Sequence, residues 1–371
     1  MLTHGAPTTT IVPFLDLGAS HQPLKETLLD AFRDLIDGNA FTNGPAVAEF
    51  EVAFAAYCRR QECIGVASGL DALRLGLLAA GLEPGDEVIV PANTFIATLE
   101  AVTQAGGVPV IVDVTESDLN MDPEAARAAI TSRTRFLLPV HLYGQMADMR
   151  ALLELGVPIL EDACQAHGAR RDGALAGELG LAAAFSFYPG KNLGAFGDAG
   201  ALVCDDEELV RKVKALREHG QRAKYDHELV GYTARLDTIQ AIVLGLKLPQ
   251  LDRWNEERRA AARFYSAALE GVGDLELPPV APGSEPVWHL YVVRTADPTE
   301  LADHLRARSI GTGLHYPEPV HLSQAYRNLG YRAGSFPASE EAASRVISLP
   351  IFPGISQAQL EAVVHGVRSY F

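Results

Sequence analysis

One lysine lies in SFYPGKNLGAFGDAG, residues 186–200, among glycine, proline and aromatic residues. It comes shortly after residues 183–187, a mostly apolar run that predicts a strand buried on both faces. Burial disfavours the charged form of a lysine, so we expect a lowered pKa and a neutral amine at Lys191. Such an amine is a nucleophile toward carbonyl carbons. The alternative is a loop lysine whose stem packs on the surface while its amine reaches water.

Two carboxylates stand at the end of another apolar run. Glu161 and Asp162 follow residues 158–160, and ligands of an open α/β sheet bind at the carboxyl ends of its strands. A carboxylate there could hold a protonated ring nitrogen, balance a positive charge or ligate a metal. Cys164 and His167 follow Asp162 by two and five residues, which leaves a metal site open. We expect no metal, and we expect His167 to be a core histidine with a satisfied hydrogen bond.

Two further segments carry groups that bind anions. In VASGLD, residues 66–71, a strand gives way to a helix at Ser68 and Gly69. The free N–H groups of a helix start can bind phosphate, although an ordinary turn with Ser68 as N-cap is the alternative. Arg235, at the start of another predicted helix, can bind a carboxylate with its forked guanidinium or can be an ordinary paired arginine.

The order of these segments adds weight to each of them. A phosphate site, an Asp after a strand and a Lys 29 residues beyond that Asp are the groups needed to hold pyridoxal phosphate. Lys191 would bond to the cofactor aldehyde, Asp162 would keep the pyridine nitrogen protonated, and the helix start at Gly69 would take the phosphate. Three spaced glycines in residues 194–200 precede a strand and do not open a helix, which argues against a nicotinamide dinucleotide site.

The elements that position these groups follow from the apolar pattern. Apolar runs alternate with helical patterns through the first two thirds of the chain, which predicts a mostly parallel α/β sheet with helices on both faces. Seven strands are predicted, at residues 64–66, 88–90, 108–112, 136–140, 158–160, 183–187 and 201–204. Helices are predicted near residues 47–57, 69–78, 94–104 and 206–219, the last with Asp205 as N-cap, and at 236–269 with an interruption at Pro249.

The last part of the chain has a different pattern. Residues 278–286 are rich in proline and predict a loop. A strand at 290–293 and helices at 299–309 and 339–346 then predict a small α+β domain. We therefore predict a large domain at residues 1–250 and a small C-terminal domain at 251–371.

Composition excludes several classes of protein. The chain has 371 residues and a formal net charge of -16, and no basic stripe interrupts the acidic pattern, so nucleic acid is not an expected partner. The four cysteines, Cys58, Cys63, Cys164 and Cys204, are expected to be buried reduced thiols. No stretch of ~18 apolar residues predicts a membrane span, and the first residues lack the pattern of a signal peptide. We expect a cytoplasmic protein that does not bind membranes.

On these segments the chain resembles the sugar aminotransferases of the DegT/DnrJ/EryC1/StrS family, which are fold-type-I pyridoxal-phosphate enzymes. The resemblance covers nearly the whole chain and its motifs are highly specific. The matching stretches are GVASGLDAL (65–73), GDEVIVPANTFIAT (85–98), PVHLYGQ (139–145), ILEDACQAHGA (159–169), SFYPGKNLGAFGDAG (186–200), RLDTIQAIVLGLKLPQLDRWNEER (235–258) and HYPEPVHLSQAY (315–326).

The resemblance implies roles for individual residues. Lys191 bonds to the cofactor and later moves a proton, Asp162 pairs with the pyridinium nitrogen, and Gln165 lies near the phenolic oxygen. The implied cofactor-binding residues are Gly69, Leu70, Phe95, Asp162, Gln165, Ser186 and Lys191, with Phe95 stacked on the ring and with Ser186 and the backbone of Gly69 and Leu70 at the phosphate. The candidate substrate-binding residues are Tyr188, Arg235, His315 and Tyr316, of which Arg235 would bind the donor carboxylate, either within its own chain or across a dimer interface.

The resemblance also implies the reaction and the assembly. The amino group would pass from L-glutamate to a nucleotide-linked keto sugar, and the pattern after Ser186 is most like members that aminate C3 of a dTDP-linked 3-keto-6-deoxyhexose. Members are usually homodimers whose active sites are completed by the neighbouring subunit. They usually carry Asn where this chain has Thr233, and that Asn reaches the neighbour's cofactor phosphate. Thr233 is shorter and Leu70 replaces a common Thr, so the phosphate contacts are expected to differ here.

Several alternatives stay open on the sequence. The acceptor could be a UDP-linked 3-keto sugar or a 4-keto sugar. A pyridoxal-phosphate sugar dehydratase of the same fold is a rival, although Lys191 argues against the branch that carries His at that position. A non-catalytic regulatory protein that keeps the cofactor fold is a rival of a different class, and a nicotinamide oxidoreductase is another.

Overall fold

A sheet of seven strands forms the centre of the computed structural model, which describes residues 10–371. The strands are β1 Glu62–Val66, β2 Glu87–Pro91, β3 Val108–Val112, β4 Thr134–Leu137, β5 Leu160–Asp162, β6 Ala182–Ser186 and β7 Gly200–Cys204. Their order is β1-β7-β6-β5-β4-β2-β3, with β4 and β5 joined by isolated parallel bridges. Only β7 runs antiparallel to its neighbours in this sheet. The predicted mostly parallel sheet is confirmed.

Two hydrophobic clusters cover the two faces of this sheet. Along β6, Ala183 and Phe185 belong to one cluster, whereas Ala182 and Ala184 belong to the other. Because successive side chains of a strand point to opposite faces, the sheet is buried on both sides, as its continuous apolar runs indicate. Phe54 contributes to the first cluster and Leu73 to the second.

The helices alternate with the strands. The α-helices are α1 Gly18–His21, α2 Lys25–Gly38, α3 Pro45–Tyr57, α4 Gly69–Ala79, α5 Ala97–Gln104, α6 Pro123–Ala129, α7 Met149–Leu153, α8 Glu207–Arg217, α9 Thr238–Lys247, α10 Leu251–Leu269, α11 Pro298–Arg306, α12 Pro337–Arg345 and α13 Gln357–Arg368. Short 3₁₀ helices span Gln22–Leu24, Leu142–Gly144, Leu248–Gln250, Val320–Leu322 and Gln324–Leu329. No helix within residues 10–371 is both long and apolar enough to cross a membrane.

A third hydrophobic cluster holds the C-terminal elements together. The strands β8 Tyr291–Arg294 and β9 Val346–Leu349 form an antiparallel pair. Tyr265 of α10, Leu305 of α11 and Val363 of α13 pack in the same cluster as these strands. The predicted strand and helices of this region are therefore present, within a few residues of their expected limits. The domain boundary at residue 250 stays a prediction.

Short ladders lie outside the main sheets. Arg170–Arg171 pairs with Ala174–Leu175 and with Ser284–Glu285, and Gln221–Ala223 pairs with Asp226–His227 in an exposed hairpin. One predicted helix start is wrong. The N-cap of α8 is Asp206, which accepts from the backbone N–H of Leu209, whereas Asp205 accepts from Gln61 and pairs with Arg60.

Candidate active site

A cavity of about 590 Å³ opens where β5 and β6 end. The parallel register Asp162↔Ala184 brings the carboxyl ends of these strands to the same edge. All but one of the predicted site residues line the cavity: Gly69, Leu70, Phe95, Asp162, Gln165, Ser186, Tyr188, Lys191, His315 and Tyr316. The exception is Arg235, which pairs with Glu218 at 2.7 Å and is not part of this wall.

Asp162 is held as a fixed acceptor at the end of β5. The side chain is 5% exposed. The hydroxyl of Thr98 donates to its Oδ2 at 2.8 Å, and the backbone N–H of Cys164 donates to its Oδ1 at 3.2 Å. Thr94 contacts Thr98 at 2.8 Å and extends the network. Hydrogen bonds that are donated to a carboxylate favour its charged form, so this arrangement suits a carboxylate that faces a cationic ring nitrogen.

Lys191 lies in the loop after β6 and is half-buried. Its backbone N–H donates to the carbonyl of Tyr188 at 2.8 Å, which closes a tight turn. Burial lowers the pKa of Lys191 from its ordinary value, and the nearby Cys164 and Asp162 oppose this shift without reversing it. The structure therefore provides a lysine with increased access to its neutral, nucleophilic form.

The start of α4 forms a cradle for an anion next to Ser186. Ser68 is the N-cap and accepts from the N–H of Asp71, and the N–H groups of Gly69 and Leu70 have no partner inside the helix by helix geometry. A Cβ atom at Gly69 would lie 2.7 Å from Cβ of Ser186 and 2.8 Å from Sγ of Cys164. Only glycine therefore allows α4 to approach the end of β6 this closely.

Gln165 connects the sheet edge to the C-terminal segment. The backbone N–H of Tyr143 donates to Gln165 Oε1 at 2.8 Å, and Gln165 Nε2 donates to the Tyr316 hydroxyl at 3.1 Å. The Tyr143 hydroxyl donates to the carbonyl of His315. Phe95 and Tyr316 face each other with ring centroids 5.8 Å apart. Burial lowers the pKa of His315 to about 4, with a smaller contribution from Lys191, so His315 is neutral at neutral pH.

Two sequence-based expectations about polar core residues are corrected. Neither ring nitrogen of His167 has a hydrogen-bond partner among residues 10–371, so the expected satisfied bond is absent. Burial, with a smaller effect of Lys191, lowers the pKa of His167 to about 3. Cys58, Cys63 and Cys204 are buried, but Cys164 is only partly buried and lines the cavity. No group of three or more metal-ligating side chains is found in the described part of the chain.

The cavity wall also contains residues that the sequence did not indicate, among them Thr98, Arg258 and His289. Thr98 and Arg258 lie inside motif stretches, but neither position is at the end of a predicted strand, which was the signal used. No local spacing marks Thr98, because its contact is with Asp162, 64 residues away in the sequence. His289 follows the proline-rich loop, and no spacing signal marks it.

The donor set fits pyridoxal phosphate. The cradle at Gly69 and Ser186 suits a phosphate, because it offers backbone N–H groups at a helix N-terminus. The carboxylate of Asp162 suits a protonated pyridine nitrogen, and the half-buried amine of Lys191 suits an aldehyde. All three line one cavity that is large enough for a small cofactor.

Comparison with known proteins identifies the family of this chain, related sequences and a similar solved structure. The model of the DegT/DnrJ/EryC1/StrS aminotransferase family matches residues 22–368. A dTDP-3-amino-3,4,6-trideoxy-alpha-D-glucose transaminase of Streptomyces venezuelae is 48% identical over 98% of this chain and 97% of its own length. A pleiotropic regulatory protein of Geobacillus stearothermophilus is 42% identical over 97% of this chain and 98% of its own. The crystal structure of S. venezuelae DesV in complex with a ketimine intermediate matches with a TM-score of 0.95 and 48% identity, over 98% of this chain and 99% of that one.

Proposed function

The chain belongs to the DegT/DnrJ/EryC1/StrS aminotransferase family, and we propose that it moves an amino group from L-glutamate to C3 of a dTDP-linked 3-keto-6-deoxyhexose. It is an enzyme of a pyridoxal-phosphate-dependent family. The choice of sugar is supported by the S. venezuelae relative, whose name specifies a dTDP-3-amino sugar. The observation that carries the proposal is the presence of Lys191, with its lowered pKa, in the same cavity as the buried carboxylate of Asp162.

The cofactor would be held by residues that the structure brings to one cavity. In this proposal Gly69, Leu70 and Ser186 bind its phosphate, Asp162 pairs with its ring nitrogen and Phe95 stacks on its ring. Gln165 would face the phenolic oxygen through its amide N–H, since its carbonyl oxygen is already occupied by the N–H of Tyr143. When bound, pyridoxal phosphate supplies a carbonyl carbon for amine exchange and a ring that takes up an electron pair.

Lys191 would then act as the base that moves the proton. With the cofactor bound, the neutral amine of Lys191 would take the proton from Cα of the donor and release it again within the cavity. The lowered pKa favours this role because a protonated amine cannot accept a proton. Asp162, fixed by Thr98 and Cys164, would stay opposite the ring nitrogen throughout.

The sugar would bind at the outer side of the cavity. Tyr188 is 59% exposed at its mouth, while His315 and Tyr316 line its wall. His315 Nδ1 contacts the Ser348 hydroxyl at 2.8 Å, which fixes its ring. Because His315 is neutral, it would contact sugar hydroxyls through hydrogen bonds and not as a cation.

The proposed enzyme is a cytoplasmic homodimer with shared active sites. Exposed apolar side chains lie on α2, α3, α9, the hairpin that follows α8 and the loop after that hairpin: Ile36, Val52, Tyr225, Val230 and Ile239. Helix α9 packs against both α2 and α3, so these side chains belong to neighbouring elements. Extended exposed apolar surfaces of this kind mark protein interfaces. Thr233 and Arg235, next to this hairpin, would reach the neighbouring cavity and not their own.

The competing functions make different predictions. A UDP-linked 3-keto sugar or a 4-keto sugar would require only a different acceptor specificity. A sugar dehydratase would release water and would not consume glutamate. A regulatory role is favoured by one observation, the name of the G. stearothermophilus relative, and it would require no turnover.

A two-stage assay tests the proposal. L-glutamate added to the cofactor-loaded enzyme should change the absorption of the cofactor and release 2-oxoglutarate. A panel of dTDP- and UDP-linked 3-keto and 4-keto sugars, added next, should restore the first spectrum with the dTDP-3-keto sugar preferred. Exclusive use of 4-keto sugars would overturn the choice of substrate, and an unchanged spectrum with glutamate would overturn the aminotransferase.

A further inference from the structure

Arg258 of α10 is a buried cation without an anion. Its side chain is 2% exposed, and no carboxylate among residues 10–371 forms an ion pair with it. Its Nη1 donates to the backbone carbonyls of Trp288 at 3.1 Å and Ile351 at 2.9 Å, while its Nε has no partner. The next residue, Arg259, has an ordinary ion pair with Glu256 at 2.8 Å. Of these two adjacent arginines, only Arg259 is paired with a carboxylate.

Carbonyl groups satisfy hydrogen bonds of Arg258 but do not neutralise its charge. Burial lowers the pKa of Arg258 to about 10, so the guanidinium stays protonated at neutral pH. An unpaired buried charge is strongly unfavourable, and such groups are normally paired with an opposite charge. Arg258 also lines the cavity that contains Lys191, so an anion that enters the cavity can reach it.

His289, which lies near Arg258, does not neutralise the positive charge of the guanidinium. Asn192 Nδ2 donates to Asn255 Oδ1 and to the Val287 carbonyl, both at 2.9 Å, so Asn192 Oδ1 is left as an acceptor. His289 Nδ1, at 3.3 Å from that oxygen, therefore carries the proton. Burial, with Lys191 and Arg258 nearby, holds the pKa of His289 well below its ordinary value, so His289 is neutral.

The carboxylates of the cavity are not partners of Arg258 either. Asp162 is engaged by Thr98 and Cys164, and Glu100 and Asp198 make no ion pair with Arg258. A guanidinium matches the planar geometry of a carboxylate in a two-pronged contact. The phosphate cradle at Gly69 and Ser186, by contrast, is built from neutral donors.

We propose that Arg258 binds a carboxylate of the amino donor. This inference rests on the proposed function and adds to it the residue that recognises the amino acid. It also replaces Arg235 in that role within one chain, since Arg235 is already paired with Glu218. In the reaction the donor's carboxylate would neutralise the buried guanidinium and orient Cα toward Lys191, whereas the keto sugar, which carries no carboxylate, would not need Arg258.

The two half-reactions separate this role from a structural one. In Arg258→Gln the reaction with L-glutamate should weaken by about 10- to 100-fold in kcat/KM, the range for a lost hydrogen bond to a charged group. The reverse reaction with the dTDP-3-amino sugar, followed by the same cofactor absorption, should change less than about threefold. Arg259→Gln is the matched control and should leave both half-reactions unchanged.

A binding experiment gives a readout that does not depend on turnover. Glutarate, a dicarboxylate without an amino group, should bind the cofactor-loaded wild type in calorimetry and should bind Arg258→Gln at least tenfold more weakly, by the same range. Arg258→Lys keeps the charge but loses the fork, so an intermediate affinity is expected. If Arg258→Gln does not fold, Arg258→Lys decides the question through the same two half-reactions.

The outcomes distinguish failure of this inference from failure of the proposed function. A wild type that reacts with neither glutamate nor the amino sugar overturns the proposed function. A wild type that reacts with both, while Arg258 variants lose both half-reactions equally or bind glutarate unchanged, overturns only the role of Arg258. Selective loss of the glutamate reaction in Arg235→Gln, with Arg258 intact and its variants unaffected, would return the role to Arg235.

Discussion

At the scale of single residues, the proposed chemistry depends on the amine of Lys191. Replacement of Lys191 by Met should lower turnover by about 10²- to 10⁴-fold, the range for loss of a positioned acid or base. Borohydride treatment of the cofactor-loaded wild type should fix the cofactor to residue 191, as found by peptide mass spectrometry. Lys214→Met, which removes a surface lysine paired with Glu62 at 3.0 Å, is the control and should retain activity and the adduct. Normal turnover in Lys191→Met would contradict the proposal.

Lys191 should also lower the stability of the cofactor-free enzyme in a pH-dependent way. Its pKa in the fold is lowered from the ordinary 10.5, so protonation is disfavoured in the folded state and the charged amine destabilises the fold at low and neutral pH. This penalty disappears as pH rises toward 10.5, where both states are neutral. Cofactor-free Lys191→Met should therefore melt at a higher temperature than the wild type at pH 7, with a gain that shrinks toward alkaline pH. If the gain in melting temperature grew with pH, the charged amine of Lys191 would not be the destabilising form.

The strongest local signal in the sequence is a polar residue at the end of an apolar strand. Asp162 and Ser186 could be predicted because parallel strands place their carboxyl ends at one edge. Arg258 could not, since a helical pattern marks the face of α10 but does not show that a charged residue on it is buried. Thr98 was missed for a related reason, because its role depends on the distance to Asp162 across the fold and not on local spacing. The orientation of Arg235 toward Glu218 likewise depends on contacts far apart in sequence.

At the scale of elements, the start of α4 must stay close to the end of β6. Gly69→Ala should push these elements apart, because its Cβ would lie 2.7 Å from Cβ of Ser186. The N–H groups of Gly69 and Leu70 would then leave the cradle, and cofactor affinity should fall at least about tenfold, the effect of one lost charge-assisted hydrogen bond. A cofactor titration measures this change. Gly38→Ala at the end of α2, where no atom lies within 4 Å of the added Cβ, is the control.

The strand β5 is held in place by the buried carboxylate of Glu161. Its oxygens accept from the N–H groups of Gly177 at 2.8 Å and Leu179 at 3.0 Å, and His141 Nε2 lies 2.8 Å from it. Burial raises the pKa of Glu161, but the hydrogen bond from His141, with the backbone N–H groups, outweighs burial, and the pKa is lowered below its ordinary 4.5. Glu161 therefore anchors the loop after β5 beside Asp162.

Removal of this charge should destabilise the fold in a pH-dependent way. Glu161→Gln places an amide group against N–H donors, and about 3–5 kcal/mol of stability should be lost at pH 7. A carboxylate with a lowered pKa contributes fully above 4.5 and loses its contribution as pH falls through its pKa in the fold. The difference in melting temperature between wild type and Glu161→Gln should thus become smaller as pH falls through the lowered pKa of Glu161. Glu62→Gln, an exposed pair with Lys214, should change stability by less than about 1 kcal/mol.

The sequence predicted which segments are strands or helices more accurately than it predicted their first and last residues. Continuous apolar runs identified all seven strands of the main sheet, because burial on both faces gives a strong local signal. The predicted strand at 136–140 ends at Leu137 in β4, and the chain beyond it continues toward β5 through isolated bridges. The sequence placed the N-cap of α8 at Asp205, whereas the structure places it at Asp206. Asp205 does not cap α8 because its carboxylate accepts hydrogen bonds from the side chain of Arg60 and the backbone N–H of Gln61, in a distant part of the chain.

At the scale of the whole molecule, the hairpin after α8 is exposed on the single chain. Tyr225 lies in the hairpin and Val230 lies just after it, and these residues are 82% and 94% exposed. Its base is closed independently of its tip, since the N–H groups of Glu228 and Leu229 both donate to the carbonyl of Gly220, at 2.8 and 3.1 Å. Replacement of residues 222–227 by two glycines should therefore leave the fold intact. The proposed dimer gives the tip its function, because it would complete the cavity of the neighbouring subunit.

Mixing two inactive variants tests this arrangement. Neither Lys191→Met nor the hairpin-shortened variant should turn over alone, the first because it lacks the amine and the second because each cavity lacks its neighbour's hairpin. In a mixed dimer both defects fall in one cavity, and the other cavity has an intact lysine from one chain and an intact hairpin from the other. Random exchange of subunits makes half of the dimers mixed, so activity should recover to about a quarter of the wild type. Sedimentation checks that both variants are dimers, and the absence of recovery in a mixture shown to contain mixed dimers would mean that each chain completes its own cavity.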